Sequence, residues 1–244
     1  MSDKMIVEVW SDIACPYCYI GKKKFEAALA QFPHRDKIKL VWYSYELNPA
    51  LPKSAGNQSF YEYFAEAHGY SVEEAKSDAA KVAQLAADAG LKFNFDKLVV
   101  TNTSDALRLI KLAQVHSKEN EVGTALFKAY FTDGECVSDR KVLVRIGTEA
   151  GIKEDEIVKM LDSKKYLSEI EKDMDYSENG LNLEYIPFYL FNNKYVTQGA
   201  VEPEEYLRIL TESFAEWEKS GVAKGEKDVT KGGKSCSSDG VCSL

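Results

Sequence analysis

Cys15-Pro16-Tyr17-Cys18 is the part of this sequence best equipped for chemistry. The motif follows an alternating, β-branched run over residues 5–10 after a short loop, and it opens an apolar-periodic stretch that reads as a helix from about residue 16 to residue 31. Cys15 therefore falls at or beside the helix N-cap. Unpaired backbone N–H groups and the positive end of the helix dipole favour an anion there, so the expected state is a thiolate, its pKa drawn from roughly 8.5 toward about 3.5–7.5. Cys18 lies one turn on, on the same helix face, where it can reach back and resolve a mixed disulfide formed on Cys15. Pro16 suits the first helical position, because the N–H it lacks would have had no intrahelical partner.

Three more cysteines, Cys136, Cys236 and Cys242, bring the total to five. An odd number without an export signal argues against a static disulfide scaffold. Cys236 and Cys242 flank a short polar loop containing Gly240 that closes at modest entropic cost, and they read as a second redox pair exchanging with Cys15 and Cys18. The alternative is a zinc clip made by Cys15, Cys18, Cys236 and Cys242, although the wide spacing within the second pair is unlike a zinc knuckle. Cys136 reads as structural, and His34, His68 and His116 stand at no ligand spacing, so no further metal site is expected. Asp12, and Glu8 on the preceding strand, are alternative proton acceptors for Cys18, with Asp12 read as an exposed loop acid.

The surrounding chain must hold these thiols in place. With 244 residues, 45% hydrophobic and 11% aromatic, it has material for a sizeable packed core. A net charge of −8 without a basic stripe disfavours nucleic acid. The opening residues are too short and interrupted for a secretory core or a membrane span, so a cytoplasmic, unprocessed protein that does not engage membranes is expected. Residues 37–47 alternate as a second strand, and Pro33 ends the helix between the two strands. A loop-like stretch over 48–57 precedes more than a hundred residues of helical pattern, including a capping box at Ser71 and Glu74, a helix opening at Thr103-Ser104-Asp105, and a closing Gly180. Strand character returns at 185–191 and 194–197 around Asn192-Asn193, a pair suited to a tight turn. Pro203 then opens a last amphipathic helix carrying Tyr206, Leu210 and Phe214. The segment 221–244 is too polar for a core and reads as a flexible tail.

The stretch Ser11-Asp12-Ile13-Ala14-Cys15-Pro16-Tyr17-Cys18-Tyr19-Ile20-Gly21, with Ile186-Pro187-Phe188-Tyr189 and Gly199-Ala200 before a final helix, resembles the DsbA-like thioredoxin superfamily and in particular its FrnE-like cytosolic branch. The likeness runs over nearly the whole chain. It implies an α/β thioredoxin fold with a large all-helical domain inserted between its halves: a β-α-β half over 1–55, the insertion over 56–180, a β-β-α half over 181–220, and the tail. It further implies that Pro187 is a cis-proline facing the active-site cysteines and that the backbone of Ile186 pairs with an extended substrate. Pro16 and Tyr17, between the cysteines, are the other expected substrate contacts. Thiol-disulfide exchange on protein or low-molecular-weight thiol substrates follows, with no dissociable cofactor, and the oligomeric state stays open. Relatives usually carry Gly-Val-Pro where this chain has Tyr185-Ile186-Pro187, and Gly-Ala-Gln where it has Gly199-Ala200-Val201, changes that flank the substrate groove. Glutathione-linked transferases and isomerases of the kappa and 2-hydroxychromene-2-carboxylate types are similar in fold and form the alternative enzymatic reading, but they present serine where this chain has Cys15.

Overall fold

Strand β1 (Met5–Ser11) places Val7 and Val9 on one face and Trp10 on the other, so both sides of the strand ask for cover. In the computed structural model, which describes residues 4–53, 56, 58–220, 228–231, 235–237 and 242–243 and side chains through 219, each face is covered by different helices. β1 leads to α1 (Pro16–Gln31), which ends at the extended residue Phe32 just before Pro33, and the chain returns as β2 (Ile38–Ser44), parallel to β1 from Met5↔Ile38 to Ser11↔Ser44. A parallel neighbour requires such a crossover, and the helix supplies it.

Seven α-helices occupy the span between β2 and the next strand among the described residues: α2 (Phe60–His68), α3 (Val72–Asp88), α4 (Ser104–Val115), α5 (Glu119–Lys128), α6 (Arg140–Glu149), α7 (Glu154–Leu161) and α8 (Leu167–Gly180). Capping boxes start α2 at Ser59/Glu62 and α3 at Ser71/Glu74. The block is tied to the first helix by rings: Tyr19 of α1 stacks on Phe127 at 4.9 Å and on Phe93 at 5.8 Å. Within it, Arg108 is 2% exposed, pairs with Asp105 at 2.6 Å and donates to the carbonyls of Lys165 and Ser163 at 2.7 and 2.6 Å and to that of Met160. A buried guanidinium is tolerable because its donors are met in this way.

After the insertion come β3 (Tyr185–Ile186), β4 (Phe188–Phe191), β5 (Tyr195–Gln198) and α9 (Pro203–Ser220). The single strand expected over 185–191 is broken at Pro187, and its two parts join different sheets. β4 pairs antiparallel with β1 and β5, and the turn between β4 and β5 holds Asn192 and Asn193 at φ of 50° and 53°, the left-handed region that asparagine tolerates. Phe25 of α1 stacks on Tyr189 at 5.1 Å and meets Tyr206 of α9 edge-on at 5.6 Å, sealing one face of the sheet. A ring of that size contributes about 1.5–3 kcal/mol when fully buried. On the other face Trp10 stacks on Tyr43 at 4.4 Å, meets Phe188 at 5.5 Å, and donates its indole N–H to the Asp173 carbonyl of α8 at 3.1 Å. The insertion thus supplies the second cover of the sheet, through its last helix.

The C-terminal segment read as a free tail behaves differently. Its backbone forms β6 (Asp228–Lys231), parallel to β5 at the edge of the main sheet, and β7 (Ser235–Ser237) and β8 (Cys242–Ser243), an antiparallel pair whose β7 lies along β3. The main sheet has the order β2-β1-β4-β5-β6, and the small sheet β3-β7-β8. A polar composition rules out a core but not a ladder, which is built from backbone groups, and the open edges of β5 and β3 offer unpaired N–H and C=O groups to any extended segment nearby.

Candidate active site

The loop after β1 is built around one acid. Asp12 is 1% exposed, and its carboxylate accepts the backbone N–H of Leu47 at 2.8 Å and that of Ala14 at 3.2 Å, while its own carbonyl accepts the N–H of Cys15 at 3.2 Å. The expected exposed acid is therefore a buried clamp that joins the cysteine loop to the end of β2. Burial raises its pKa from 3.8 to about 6, against the lowering effect of the hydrogen bonds from Leu47, Thr103 and Ala14. Glu8 sits elsewhere, bonded to the Tyr43 hydroxyl.

Cys15 is the N-cap of α1, in extended backbone, with Pro16 at the first helical position. Its Sγ accepts the N–H of Cys18 at 3.2 Å, and its thiol faces the carbonyl of Ile186 at 3.9 Å. Cys15 and Cys18 are not joined to each other and are 0% and 1% exposed. The helix end is placed as anticipated, but the expected depression of the Cys15 pKa is reversed in this closed arrangement. Burial pushes the thiol well up, the neighbouring Cys18 adds to the rise, and the Cys18 N–H works against both. Taking an anion out of water costs several kcal/mol, whereas a helix end returns about 0.3–2, so desolvation wins while the site stays closed.

The wall opposite Cys15 comes from the second half of the fold. The Ile186–Pro187 peptide bond is cis, and the Pro187 carbonyl accepts the N–H of Gly199, which sits at φ +80°. Gln198, 3% exposed, fixes the approach: its side-chain oxygen accepts the N–H of Glu184 at 2.8 Å and of Tyr185 at 3.0 Å. Gly21 of α1 lets the helix come close, since a Cβ there would lie 2.8 Å from Pro187 Cγ and 3.3 Å from the Tyr206 hydroxyl. Gln198 did not stand out in the sequence, and Gly21 entered only as the last residue of the motif stretch, with no role of its own; a glycine one turn after Cys18 in a helix interior was the available signal.

Cys15, Cys18, Pro16, Tyr17, Ile186 and Pro187 thus converge on one place. Tyr17 is fully buried, Trp10, Tyr19 and Trp42 belong to the same buried core as the two thiols, and Tyr43 is half-buried against it. Along the backbone, Cys236 of β7 stands in register with Ile186 and with Cys242 of β8, and β7 lies against α1. The side chains of Cys236 and Cys242 lie outside the described residues, and with them the four-cysteine zinc clip. Cys136 is half-buried and meets the Ser138 hydroxyl at 3.2 Å, away from this site. Among the described residues no helix is long and apolar enough to cross a membrane.

Comparison with known proteins gives the family and the fold. The model of the DSBA-like thioredoxin domain family matches residues 6–211, and the chain belongs to that family. A probable DsbA oxidoreductase from Streptomyces coelicolor is 30% identical and superposes with a TM-score of 0.80 over 98% of this chain and 99% of its own. The cytosolic disulfide reductase DsbM from Pseudomonas aeruginosa shares the fold at 13% identity, with a TM-score of 0.56 over 88% of this chain and 97% of that one. The Bacillus subtilis protein YwbO is 19% identical over 197 residues, 80% of this chain and 90% of YwbO.

Proposed function

For a DSBA-like thioredoxin domain whose two thiols meet at a helix amino end, we propose dithiol-disulfide exchange on protein or low-molecular-weight substrates, in the cytoplasm, within the FrnE-like branch. The Cys15 thiolate attacks one sulfur of a substrate disulfide; the Cys15–substrate S–S bond forms, the substrate S–S bond breaks, and the departing sulfur leaves as a thiolate. Cys18 then gives up its proton and attacks the Cys15 sulfur, forming the Cys15–Cys18 disulfide and releasing the second substrate thiolate. The steps run equally in reverse and need no dissociable cofactor. The observation that carries this reading is the position of Cys15 Sγ, 3.2 Å from the Cys18 N–H and 3.9 Å from the carbonyl before Pro187. In this scheme the backbone of Ile186 pairs with an extended substrate, Pro187 abuts the reacting sulfurs, and Pro16 and Tyr17 contact the incoming chain.

Cys236 and Cys242 form the second redox pair of the proposal. The backbone register supports it in two ways. Directly opposed residues of an antiparallel pair have Cα atoms about 4.5–5.5 Å apart, inside the disulfide range of about 4.4–6.8 Å, and the backbone register sets Cys236 opposite Cys242. Pairing with Ile186 also sets Cys236 along the strand where a substrate cysteine would run.

The test is trapping. Cys18→Ser, mixed with a disulfide-bonded peptide, is expected to accumulate a covalent adduct on Cys15 that dithiothreitol releases, while Cys15→Ser forms none and both variants lose insulin reduction. Wild-type insulin reduction by Cys15→Ser would overturn the assignment. A reduction potential and turnover unchanged in the Cys236→Ser/Cys242→Ser double variant would remove the second pair.

A further inference from the structure

Resolving the mixed disulfide turns the Cys18 sulfur into an anion in a place almost closed to water, since Cys18 is 1% exposed. A buried anion without a hydrogen bond is costly, so a donor beside that sulfur speeds the step. The second half of the fold brings hydroxyls to this side of α1.

Tyr206 of α9 is fully buried and reaches α1 at Gly21, where a Cβ would lie 3.3 Å from its hydroxyl. Gly21 stands one turn after Cys18, and residues three apart are neighbours on a helix surface, with Cβ positions about 5–6 Å from each other. The missing side chain at Gly21 thus leaves the phenol against α1 beside Cys18. Burial first, and Cys18 next, hold the Tyr206 pKa well above the usual phenol range, so the hydroxyl keeps its proton. Cys15 at the start of α1 and Tyr189 on β4 also face Cys18.

The Tyr206 proton is poorly placed at rest. Its acceptor is the carbonyl of Gly199 at 3.5 Å, well beyond the length of about 2.7–2.8 Å usual for such a bond. Close by, the fully buried Thr197 hydroxyl has no hydrogen-bond partner among the described residues. Two buried donors short of an acceptor stand next to a sulfur that becomes an acceptor during turnover.

We propose that the Tyr206 hydroxyl donates a hydrogen bond to the Cys18 sulfur as that sulfur ionises, and so serves the resolving step and not the first attack. The phenol keeps its proton. Cys18 loses its own proton to solvent, the Cys15–Cys18 bond forms, and the Cys15–substrate bond breaks, its electron pair leaving on the substrate thiolate, which takes up a proton from solvent. The inference rests on the exchange reading.

The test follows the two steps apart. Full-length protein is mixed with a disulfide-bonded peptide and quenched in acid at intervals, and mass spectrometry counts free protein, mixed disulfide and oxidised protein. In the Cys18→Ser background, which stops at the first step, adding Tyr206→Phe is expected to leave adduct formation unchanged. With Cys18 present, Tyr206→Phe is expected to slow resolution roughly tenfold, so that the mixed disulfide accumulates, while the near-ultraviolet circular dichroism is retained. Resolution as fast as in the wild type would overturn the proposal. Equal slowing of both steps would overturn it too, because that is the result of a hydroxyl that merely steadies the Gly199 turn behind Pro187. A wild-type protein that forms no mixed disulfide at all would instead overturn the exchange reading and this inference with it.

Discussion

Asp12→Asn separates a buried charge from the hydrogen bonds it makes. In the folded protein the carboxyl has a pKa of about 6, while in the unfolded chain it returns to its ordinary 3.8. Below about pH 3 the acid is protonated in both states and contributes no difference. As pH rises from 4 to 6 the unfolded chain releases the proton and the folded chain keeps it, so the native state binds more protons and stability falls. Above pH 6 the loss is complete. A little over two pKa units, at 1.36 kcal/mol each, amounts to about 3 kcal/mol.

Asparagine cannot ionise, so this pH-dependent loss disappears, at the cost of one acceptor. The side chain now presents an NH₂ to either the Leu47 or the Ala14 N–H, a mismatch of about 1–3 kcal/mol that does not vary with pH. Urea unfolding of both proteins, reduced throughout and measured between pH 4 and pH 7.5, gives the stability difference at each pH. Asp12→Asn is expected to start below the wild type at pH 4 and gain on it by about 2.4 kcal/mol by pH 7. A difference between the two proteins that stays constant within about 0.5 kcal/mol over that range would refute the buried, uphill titration of Asp12.

Three other substitutions test the frame around the thiols. Gly21→Val places side-chain atoms where even a Cβ lies 2.8 Å from Pro187 Cγ, and is expected to lower unfolding stability by about 3 kcal/mol and slow insulin reduction. Gln198→Leu leaves the Glu184 and Tyr185 N–H groups without their acceptor; a loss of about 2 kcal/mol in urea unfolding and a slower mixed-disulfide step are expected. Arg108→Met leaves the half-buried Asp105 with Lys53 alone and strands the carbonyls of Lys165 and Ser163, and thermal unfolding is expected to report a loss of about 3 kcal/mol with the Cys15–Cys18 potential unchanged.

What could be read from residues alone was local. The start of α1 at Pro16, its end before Pro33, the capping box at Ser71 and the Asn192-Asn193 turn each depend on neighbours within a few positions, and each stands where chain chemistry puts it. The site's supports are of another kind. Asp12 looked like a loop acid because nothing within reach along the chain accounts for burying it; its partner is Leu47, brought near by the parallel return of β2. Gly21 acquires its meaning from Pro187, and Gln198 from the strand on the far side of the cis-proline turn. The last segment was judged by its lack of apolar side chains, a sound guide to cores but not to strands that add to an open edge by backbone alone. The helical insertion was legible as helices, yet its use of α8 to cover Trp10 was not, because a cover is chosen by tertiary packing rather than by periodicity.

The direction of the Cys15 shift follows from the same separation of local from tertiary effects. Sequence places a sulfur at a helix amino end, where an anion gains about 0.3–2 kcal/mol; the fold then closes over it, at a cost of several kcal/mol to the same anion. Both act on one atom, so access of water decides which prevails. On the proposed function this gives β7 a consequence beyond its cysteine. β3 is two residues long, and the N–H of Tyr185 is already engaged by Gln198, so its backbone serves one added strand at a time. A substrate that pairs with Ile186 must displace β7, and β7 leaves α1 in the same movement. Seating a substrate on Ile186 and releasing β7 from α1 are then one event, so the added strand and the substrate compete for one backbone edge beside Cys15.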